Sequence, residues 1–400
     1  MTLSSDFWPW VEAHADDDTA RLRLKYGRDR ALEILQIECR RKYRAKLGGL
    51  FGRLSRFTVP NALAPEQSTS WPLASYHASL ITPGARVADL TAGMGVDVLA
   101  FSDVAVSVTA IERDPGIAEA DEVNFAAIPN IKVVCADCAD FIRGAIARGE
   151  RYDCLFIDPA RRAADGSRLF ALNQCSPDAA ALMPDMLRVA PKVIVKASPM
   201  LDVTHTLREL PQAAAIIITG TTTECKELIA VCSAAQAPAP GSLPVSAVTV
   251  ADGGASLTTF TFTRDEEAAA QCEFGIPAPG WYVYDPYPAV MKAAPYGLLG
   301  SRFGLMRPAR NTQLWTGPQL RPDFPGHIFK VADVQPFASR VIKRYAAAYP
   351  EVSVTTRNFD MDAATLRRKL RVRDGSGALR LFAVTDSRGE KYLVTAGPFS

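Results

Sequence analysis

Several things are missing from this 400-residue chain, and each absence narrows the field. No apolar run approaches the length of a bilayer-spanning helix, so no membrane partner is expected. The opening residues, MTLSSDFWPWVEAHADDD, have neither the basic start nor the apolar run of a secretory signal, which points to the cytoplasm. Histidine is scarce: the four, His14, His77, His205 and His327, stand far apart and read as surface or satisfied core residues. The eight cysteines are scattered, and Cys154, Cys225 and Cys232 fall inside apolar runs, a pattern of reduced thiols rather than a disulfide framework. Cys135 and Cys138 form the one close pair, with no second pair at metal spacing, so no metal site is expected. Internal repeats and low-complexity tracts are absent as well.

Net charge is nearly absent too, at +2, but its distribution is uneven. Residues 21–56 hold twelve Lys/Arg against three acids, and residues 336–400 hold twelve against six. Basic flanks around a neutral, apolar middle suit a long anionic ligand; solvated helix faces account for them equally well. The length exceeds what one ordinary core can fill, so two or three domains are expected.

Residues 1–75 read as helical and then irregular. In ALEILQIECRRKYRAKLGGLF, Leu32, Ile34, Leu35 and Ile37 follow helical spacing, and Gly48-Gly49 offers a stop. TVPNALAPEQSTSWP reads as a loop. From about residue 76 strands and helices alternate, with strands expected at 86–89, 106–112, 131–135, 152–158, 192–196, 214–219 and 228–232. Short apolar runs separated by helices indicate a parallel sheet covered on both faces. GTTTECKE is too short for a crossover helix, so the seventh strand is expected antiparallel to the sixth. The hairpin SAVTVADGGASLTTFTFT, turning at Asp252-Gly253-Gly254, is expected to extend the same sheet. Residues 281–335 are rich in Pro, Tyr and Gly. The tail then gives a strand at 352–356, a helix at 363–370 and two strands about a turn, a small α+β module.

The stretch VADLTAGMGVDVLAF is strand, glycine turn and helix, and two kinds of ligand suit such a turn. A dinucleotide fingerprint, G-x-G-x-x-G/A, needs a small third residue for close helix packing. Here Val98 takes that place after Gly93 and Gly95, which counts against a dinucleotide. Asp89 closes the strand four residues before Gly93. D-x-x-x-G-x-G resembles motif I of the class I methyltransferases that use S-adenosylmethionine (SAM). There the glycines let the backbone approach the methionine moiety, and the carboxylate orients its ammonium end. Spacing along the chain supports SAM. Glu112 ends the second strand seventeen residues after Gly95, where a carboxylate can accept both ribose hydroxyls. Asp137 follows the third strand, where methyltransferases of this class bind the adenine amino group. Asp158 ends the fourth strand in LFIDPARR, at the place of motif IV. Four acids at the ends of four successive strands suit a ligand crevice, although each alone also reads as a loop acid or helix cap, as Asp114 and Asp140 do.

Methyl transfer from a sulfonium is an in-line displacement governed by positioning, with a nearby acid to take or orient the acceptor's proton. Asp158 is the leading catalytic candidate; the competing reading is a structural strand-end acid. Pro159 is followed by Ala160-Arg161-Arg162, in place of the second proline and aromatic that clamp a flipped base. Arg161 and Arg162 either grip a substrate phosphate or carboxylate or pair with Asp165 and Asp178 as scaffold. KASPMLD puts Lys196 and Ser198 on the same rim. Lys196 faces an acceptor phosphate or Asp158, and Ser198 is either a catalytic partner or the cap of the next helix. ECKEL adds Glu224, Lys226 and Glu227 without a clear role.

With these motifs the chain resembles a bacterial family of class I SAM-dependent methyltransferases carrying a C-terminal THUMP-like domain. The resemblance rests on QSTSWPLASYHASLI, DLTAGMGVD, IDPARR, VIVKASPMLD, ECKEL, RFGLMRPARNTQLWT and RNFDMDAATLRRKLRVRDG, and spans the chain from about residue 30. The expected α/β architecture has N-terminal helices over 1–75 and a Rossmann-like seven-stranded methyltransferase sheet, six strands parallel and one antiparallel, over 76–265. A small ferredoxin-like insert follows at 281–325, and a THUMP-like α+β module over 326–400. The expected cofactor contacts are Asp89, Thr91, Gly93, Gly95, Glu112, Asp137 and Asp158.

Two positions depart from the family pattern: Trp71 stands where an acid is expected, and His77 where a lysine is expected. Trp71 either stacks on a base or anchors the linker as a buried residue. THUMP domains proper bind RNA in tRNA- and rRNA-modifying enzymes, which makes RNA the expected acceptor. In TLRRKLRVRD, Arg367, Arg368 and Arg371 form a basic stripe beside Leu366 and Leu370, suited to phosphates. Arg40, Arg41, Lys42, Arg44 and Lys46 offer a second basic surface. The expected function is methyl transfer to structured RNA. The alternatives are a protein or small-molecule methyltransferase with the tail as docking module, and a SAM-binding RNA-binding protein without turnover.

Overall fold

The computed structural model describes residues 3–161, 172–375 and 379–399. The chain forms two compact units, one of Met1–Thr219, Lys226–Ala239 and Val248–Leu257, the other of Gly220–Cys225, Pro240–Ala247 and Thr258–Ser400.

The first unit opens with helices Phe7–Ala13, Thr19–Tyr26, Ala31–Lys42 and Arg44–Arg53. Phe7, Val11, Leu22, Ile34 and Ile37 bury one another. Cys39, Leu47, Leu50 and Phe57 share a core with Val87, Phe101 and Phe156, so the later helices belong to the hydrophobic centre of this unit. Much of the basic run they carry is engaged internally. Arg40 stacks on Trp8 and Phe51 and donates to the Phe57 carbonyl. Arg41 donates to the carbonyls of Ala15 and Asp17, and Lys46 to those of Pro65 and Glu66. Of the expected second basic surface, Lys42 and Arg44 are exposed. Trp71 is an anchor: a Cβ on Gly49 would fall 2.0 Å from its indole ring.

Nine strands form the main sheet: β1 (Arg86–Asp89), β2 (Ser107–Glu112), β3 (Ile131–Cys135), β4 (Cys154–Ile157), β5 (Lys192–Ala197), β6 (Ala213–Gly220), β7 (Cys225–Ser233), β8 (Pro244–Val250) and β9 (Ser256–Thr263). Their order is 9-8-6-7-5-4-1-2-3. β1 pairs in parallel with β2 and β4, β2 with β3, and β4 with β5, whereas β7 runs antiparallel to β5. Helices Val96–Ser102, Pro115–Phe125, Cys138–Arg148, Ala179–Val189 and Val203–Glu209 lie in the connections. As expected, the glycine-turn hairpin β8–β9 extends the seven-stranded sheet, joining it beside β6 and bringing it to nine strands. Its tight turn closes through hydrogen bonds between Ala251 and Ala255 and from Gly254 to Ala251. Parallel register sets Asp89 beside Ala110 and Phe156, which gathers the C-terminal ends of β1, β2 and β4 at one edge.

The second unit contains a six-stranded sheet of β10 (Tyr282–Pro286), β11 (Trp315–Gly317), β12 (Gly326–Pro336), β13 (Ser353–Arg357), β14 (Arg380–Thr385) and β15 (Lys391–Pro398), in the order 11-10-12-15-14-13. Its alternating residues separate two cores. Val283, Phe329, Phe382 and Val394 pack on one face, while Leu381 and Leu393 meet Tyr345, Leu366 and Leu370 of helices Ser339–Ala348 and Ala363–Leu370 on the other. The long strand β12 pairs with β10 on one side and β15 on the other, so one sheet runs through residues 282–398.

Candidate functional site

The site grows from the turn after β1. Gly93 and Gly95 take φ of +53° and +72°, values that glycine adopts without strain. No heavy atom lies within 4 Å of where a Cβ on Gly93 would be, so the backbone is open to a ligand there. Gly95 is closed on its other side, where a Cβ would sit 2.4 Å from the Phe125 ring. Glu112 at the end of β2 accepts from the amides of Gly93 (2.9 Å) and Asp114 (2.7 Å), which ties the glycine turn to the second strand. Thr91 ties it to the fourth: its amide donates to Asp89 (3.0 Å), and its hydroxyl accepts from the Asp158 amide (2.7 Å). Thr91 thus links Asp89 to Asp158, Glu112 links Gly93 to the end of β2, and Gly95 lies in the same turn.

Asp137 follows β3, next to Glu112, whose carbonyl accepts from the Ala136 amide. The Asp137 side chain caps helix Cys138–Arg148 through the amides of Ala139 and Asp140. Asp114 caps its own helix in the same way, while Asp140 pairs with Arg143 instead of capping. Ser198 receives the Met200 amide at 3.3 Å, but the cap of helix Val203–Glu209 is Asp202. Asp178 likewise caps its helix through Ala181. Pro159 is half-buried; the Arg161 side chain, Arg162 and Asp165 lie outside the described residues, although the Ala160–Arg161 backbone pairs with Cys175–Ser176.

Two buried carboxyls lie beside the turn. Burial, with Asp97 and Asp158 nearby, pushes the Asp89 carboxyl well above the usual carboxylate range. Asp121, on the helix after β2, is fully buried 3.6 Å from the position of a Gly95 Cβ, with neither oxygen hydrogen-bonded among the described residues. Burial, Glu112 and Asp89 push it well up too. Both acids would ionise more readily once a positive group arrived.

Behind Asp158 lies a buried set of charges. Lys196 Nζ is 2.7 Å from Asp158 Oδ2, donates to Thr69 Oγ1 at 2.8 Å and lies 3.6 Å from Glu227 Oε1. The lysine side chain is 9% exposed and that of Asp158 35%, so the carboxylate is the reachable half of the pair. Antiparallel register sets Ala197 opposite Leu228 and so brings Lys196 and Glu227 to the same end of β5 and β7. Burial works against the Lys196 ammonium, but Asp158, Glu227 and Asp97 outweigh it and hold the lysine above its ordinary pKa. Burial raises the Asp158 carboxyl against the pull of Lys196. His77, fully buried, bridges Asp97 Oδ1 (2.7 Å) and Glu227 Oε2 (2.8 Å). Burial opposes the charge on His77, yet Glu227 and Asp97 raise its pKa to about 9. Burial likewise opposes the Glu227 carboxylate, while His77 and Lys196 bring it down to about 2.

Residues 326–398 match the THUMP domain-like family and residues 282–325 a ferredoxin-like domain. A candidate methyltransferase of Porphyromonas gingivalis W83 superposes with a TM-score of 0.88 at 27% identity, covering 100% of both chains. This chain is built as a methyltransferase with a THUMP-like domain. Smaller likenesses include SMU.776, a candidate methyltransferase complexed with SAH (TM-score 0.33, 15% identity, 44% of this chain and 50% of that one). Another is a candidate RNA methyltransferase of Pyrococcus horikoshii (TM-score 0.31, 17% identity, 46% of this chain and 94% of that one). No curated protein sequence matches the chain.

Sequence reasoning missed most of the charge set in this methyltransferase. His77 read as an isolated histidine, Thr69 and Asp97 were passed over, and Glu227 had no role. Asp97 carried the faintest signal, as an acid two residues past the glycine turn on a helix otherwise apolar. Among the described residues no group of three or more His, Cys, Asp or Glu is placed to hold a metal, and no helix is long and apolar enough to cross a membrane.

In the THUMP-like domain, Leu366 and Leu370 are buried while Arg368 and Arg371 are exposed. Arg367 pairs with Asp374, Arg368 donates to Thr365 at 3.3 Å, and Arg371 ends the helix at φ +58°.

Proposed function

We propose that this protein is a cytoplasmic enzyme that transfers a methyl group from SAM to structured RNA, tRNA or rRNA. The observation that carries the reading is the open glycine turn tied by Glu112 to the end of β2, and by Thr91 to the Asp89 carboxylate and the backbone amide of Asp158, so that three strand-end acids surround it. When bound, SAM supplies an electrophilic methyl carbon on a sulfonium. Gly93 and Gly95 allow the close approach, Asp89 faces the cationic end, Glu112 receives the ribose hydroxyls and Asp137 the adenine amino group. Asp158, held by Lys196, takes or orients the acceptor's proton, with Ser198 on the same rim. Pro159, Arg161 and Arg162 are the candidates for contact with the acceptor. Arg367, Arg368 and Arg371 hold phosphates, a contact that carries affinity without sequence preference.

The test is to incubate the protein with methyl-labelled SAM and extract from cells lacking its gene, then split the products with ribonuclease and protease. Label lost to ribonuclease is the expected result. Label that survives ribonuclease and falls to protease would overturn the RNA acceptor and turn the basic helix into a docking surface for protein.

A further inference from the structure

We propose that His77 is a positioning residue for methyl transfer: clamped between Asp97 and Glu227, it fixes Asp97, which through Thr69 aims the Lys196 ammonium at Asp158, and it holds Glu227 back from the same ammonium. The inference deepens the proposed function and rests on it.

The two carboxylate partners, both held below their ordinary range, make the clamp cationic. Both ring nitrogens of His77 face carboxylate oxygens, Nδ1 at 2.7 Å from Asp97 and Nε2 at 2.8 Å from Glu227. Ionised carboxylates only accept, so both nitrogens must donate and the ring is an imidazolium. The other Asp97 oxygen accepts from the Thr69 hydroxyl at 2.6 Å. That hydroxyl has one proton, and with it committed to Asp97 its lone pairs receive the Lys196 ammonium at 2.8 Å. Orientation therefore passes from His77 through Asp97 and Thr69 to Lys196.

The second path runs through Glu227. Its Oε2 is held by His77 and by the Thr219 hydroxyl at 3.0 Å, and its Oε1 stands 3.6 Å from Lys196, against 2.7 Å for Asp158. Glu227 is a rival for the same ammonium, and His77 holds it back. With His77 charged, the interior sets Asp97, Glu227 and Asp158 against two cations. Without that charge two buried carboxylates would compete for Lys196, and Asp158 would lose its partner part of the time. The groups facing Asp158 are then Lys196, Asp97, Glu227 and Asp89, and those facing His77 are Asp97 and Glu227, with Tyr76 beside Glu227.

The experiment compares wild type, His77→Gln and His77→Lys by the pH titration of carboxyl ¹³C signals, with Asp158 assigned by loss of its signal in Asp158→Asn. Wild type and His77→Lys should share one Asp158 midpoint. In His77→Gln it should rise by about one pH unit or more, and kcat for methyl transfer should fall about tenfold with the KM for SAM unchanged. The acid limb of the pH–rate profile should move with it, and ring ¹⁵N signals should show both His77 nitrogens protonated at pH 7 in wild type. A folded His77→Gln with the wild-type midpoint, or a neutral His77 ring, would overturn the proposal. Should His77→Gln fail to fold, His77→Lys decides: a wild-type midpoint supports the clamp, a shifted one overturns it. The titration needs no acceptor, so a wild-type protein that moves no methyl would sink the proposed function while leaving this result readable.

Discussion

Lys196 in the first unit and Arg368 in the second are both cations near an element end, and they live in different physical worlds. Lys196 is 9% exposed, donates to Thr69 and pairs with Asp158, within a set closed by His77, Asp97 and Glu227. Arg368 stands in solvent beside exposed Lys369 and Arg371. Burial makes each charge in the first set depend on its partners, because an unpaired ion in the interior is costly. Solvated charges in the second are nearly independent, weak individually and additive toward a polyanion. Charge inside fixes geometry; charge outside gathers a ligand. The N-terminal basic run belongs between them, since Arg40, Arg41 and Lys46 look like a binding surface in sequence yet donate to backbone carbonyls.

The strongest way to break this contrast is Lys196→Met. It leaves Asp158 and Glu227 without their ammonium, and chemical denaturation should show a loss of about 3–5 kcal/mol. A change within experimental error would mean the interior charges are independent after all.

Stability against pH sharpens the same point. The folded pKa of His77 is raised from 6.5 to about 9, so its contribution is whole below about 6.5 and disappears as pH rises through 9. Denaturation midpoints should record a decline on the order of 3 kcal/mol across that window. Asp89 and Asp121, also raised by burial, add to the same slope, so the share of His77 is the part that His77→Lys removes.

A smaller effect is expected at the turn. Gly95→Ala puts a methyl group 2.4 Å from the Phe125 ring at φ +72°, and should cost about 1–3 kcal/mol while weakening calorimetric binding of the demethylated cofactor SAH. Unchanged binding would remove Gly95 from the cofactor cradle.

The smallest effect on the fold belongs to the surface. The pair Arg368→Ala and Arg371→Ala should leave stability within about 0.5 kcal/mol, yet lower RNA affinity and reduce the salt slope by about 0.9 per lost phosphate contact. Filter binding at several salt concentrations reads this directly.

These contrasts also show how far the sequence could be read. Short apolar runs between helices identified the parallel sheet, and strands 86–89 and 131–135 matched residue for residue, because periodicity and glycine turns are local signals. Asp89, Thr91, Gly93, Glu112 and Asp158 were legible for the same reason, since each residue sits at or just after a strand end. The set around His77 was not. Thr69, His77, Asp97, Lys196 and Glu227 have no shared spacing and meet only after β7 folds back antiparallel to β5. Caps were also hard to separate from site residues: Asp137 was read as a ligand contact and also caps a helix, while Ser198 gives that place to Asp202.

The central claim is that Asp158, held by a buried lysine beside an open glycine turn, acts on the methyl acceptor. The most direct measurement pairs SAH calorimetry with methyl transfer for Asp158→Asn. The account predicts retained SAH binding and a fall in turnover of about 10²–10⁴. A variant that binds SAH and transfers methyl at the wild-type rate would contradict it.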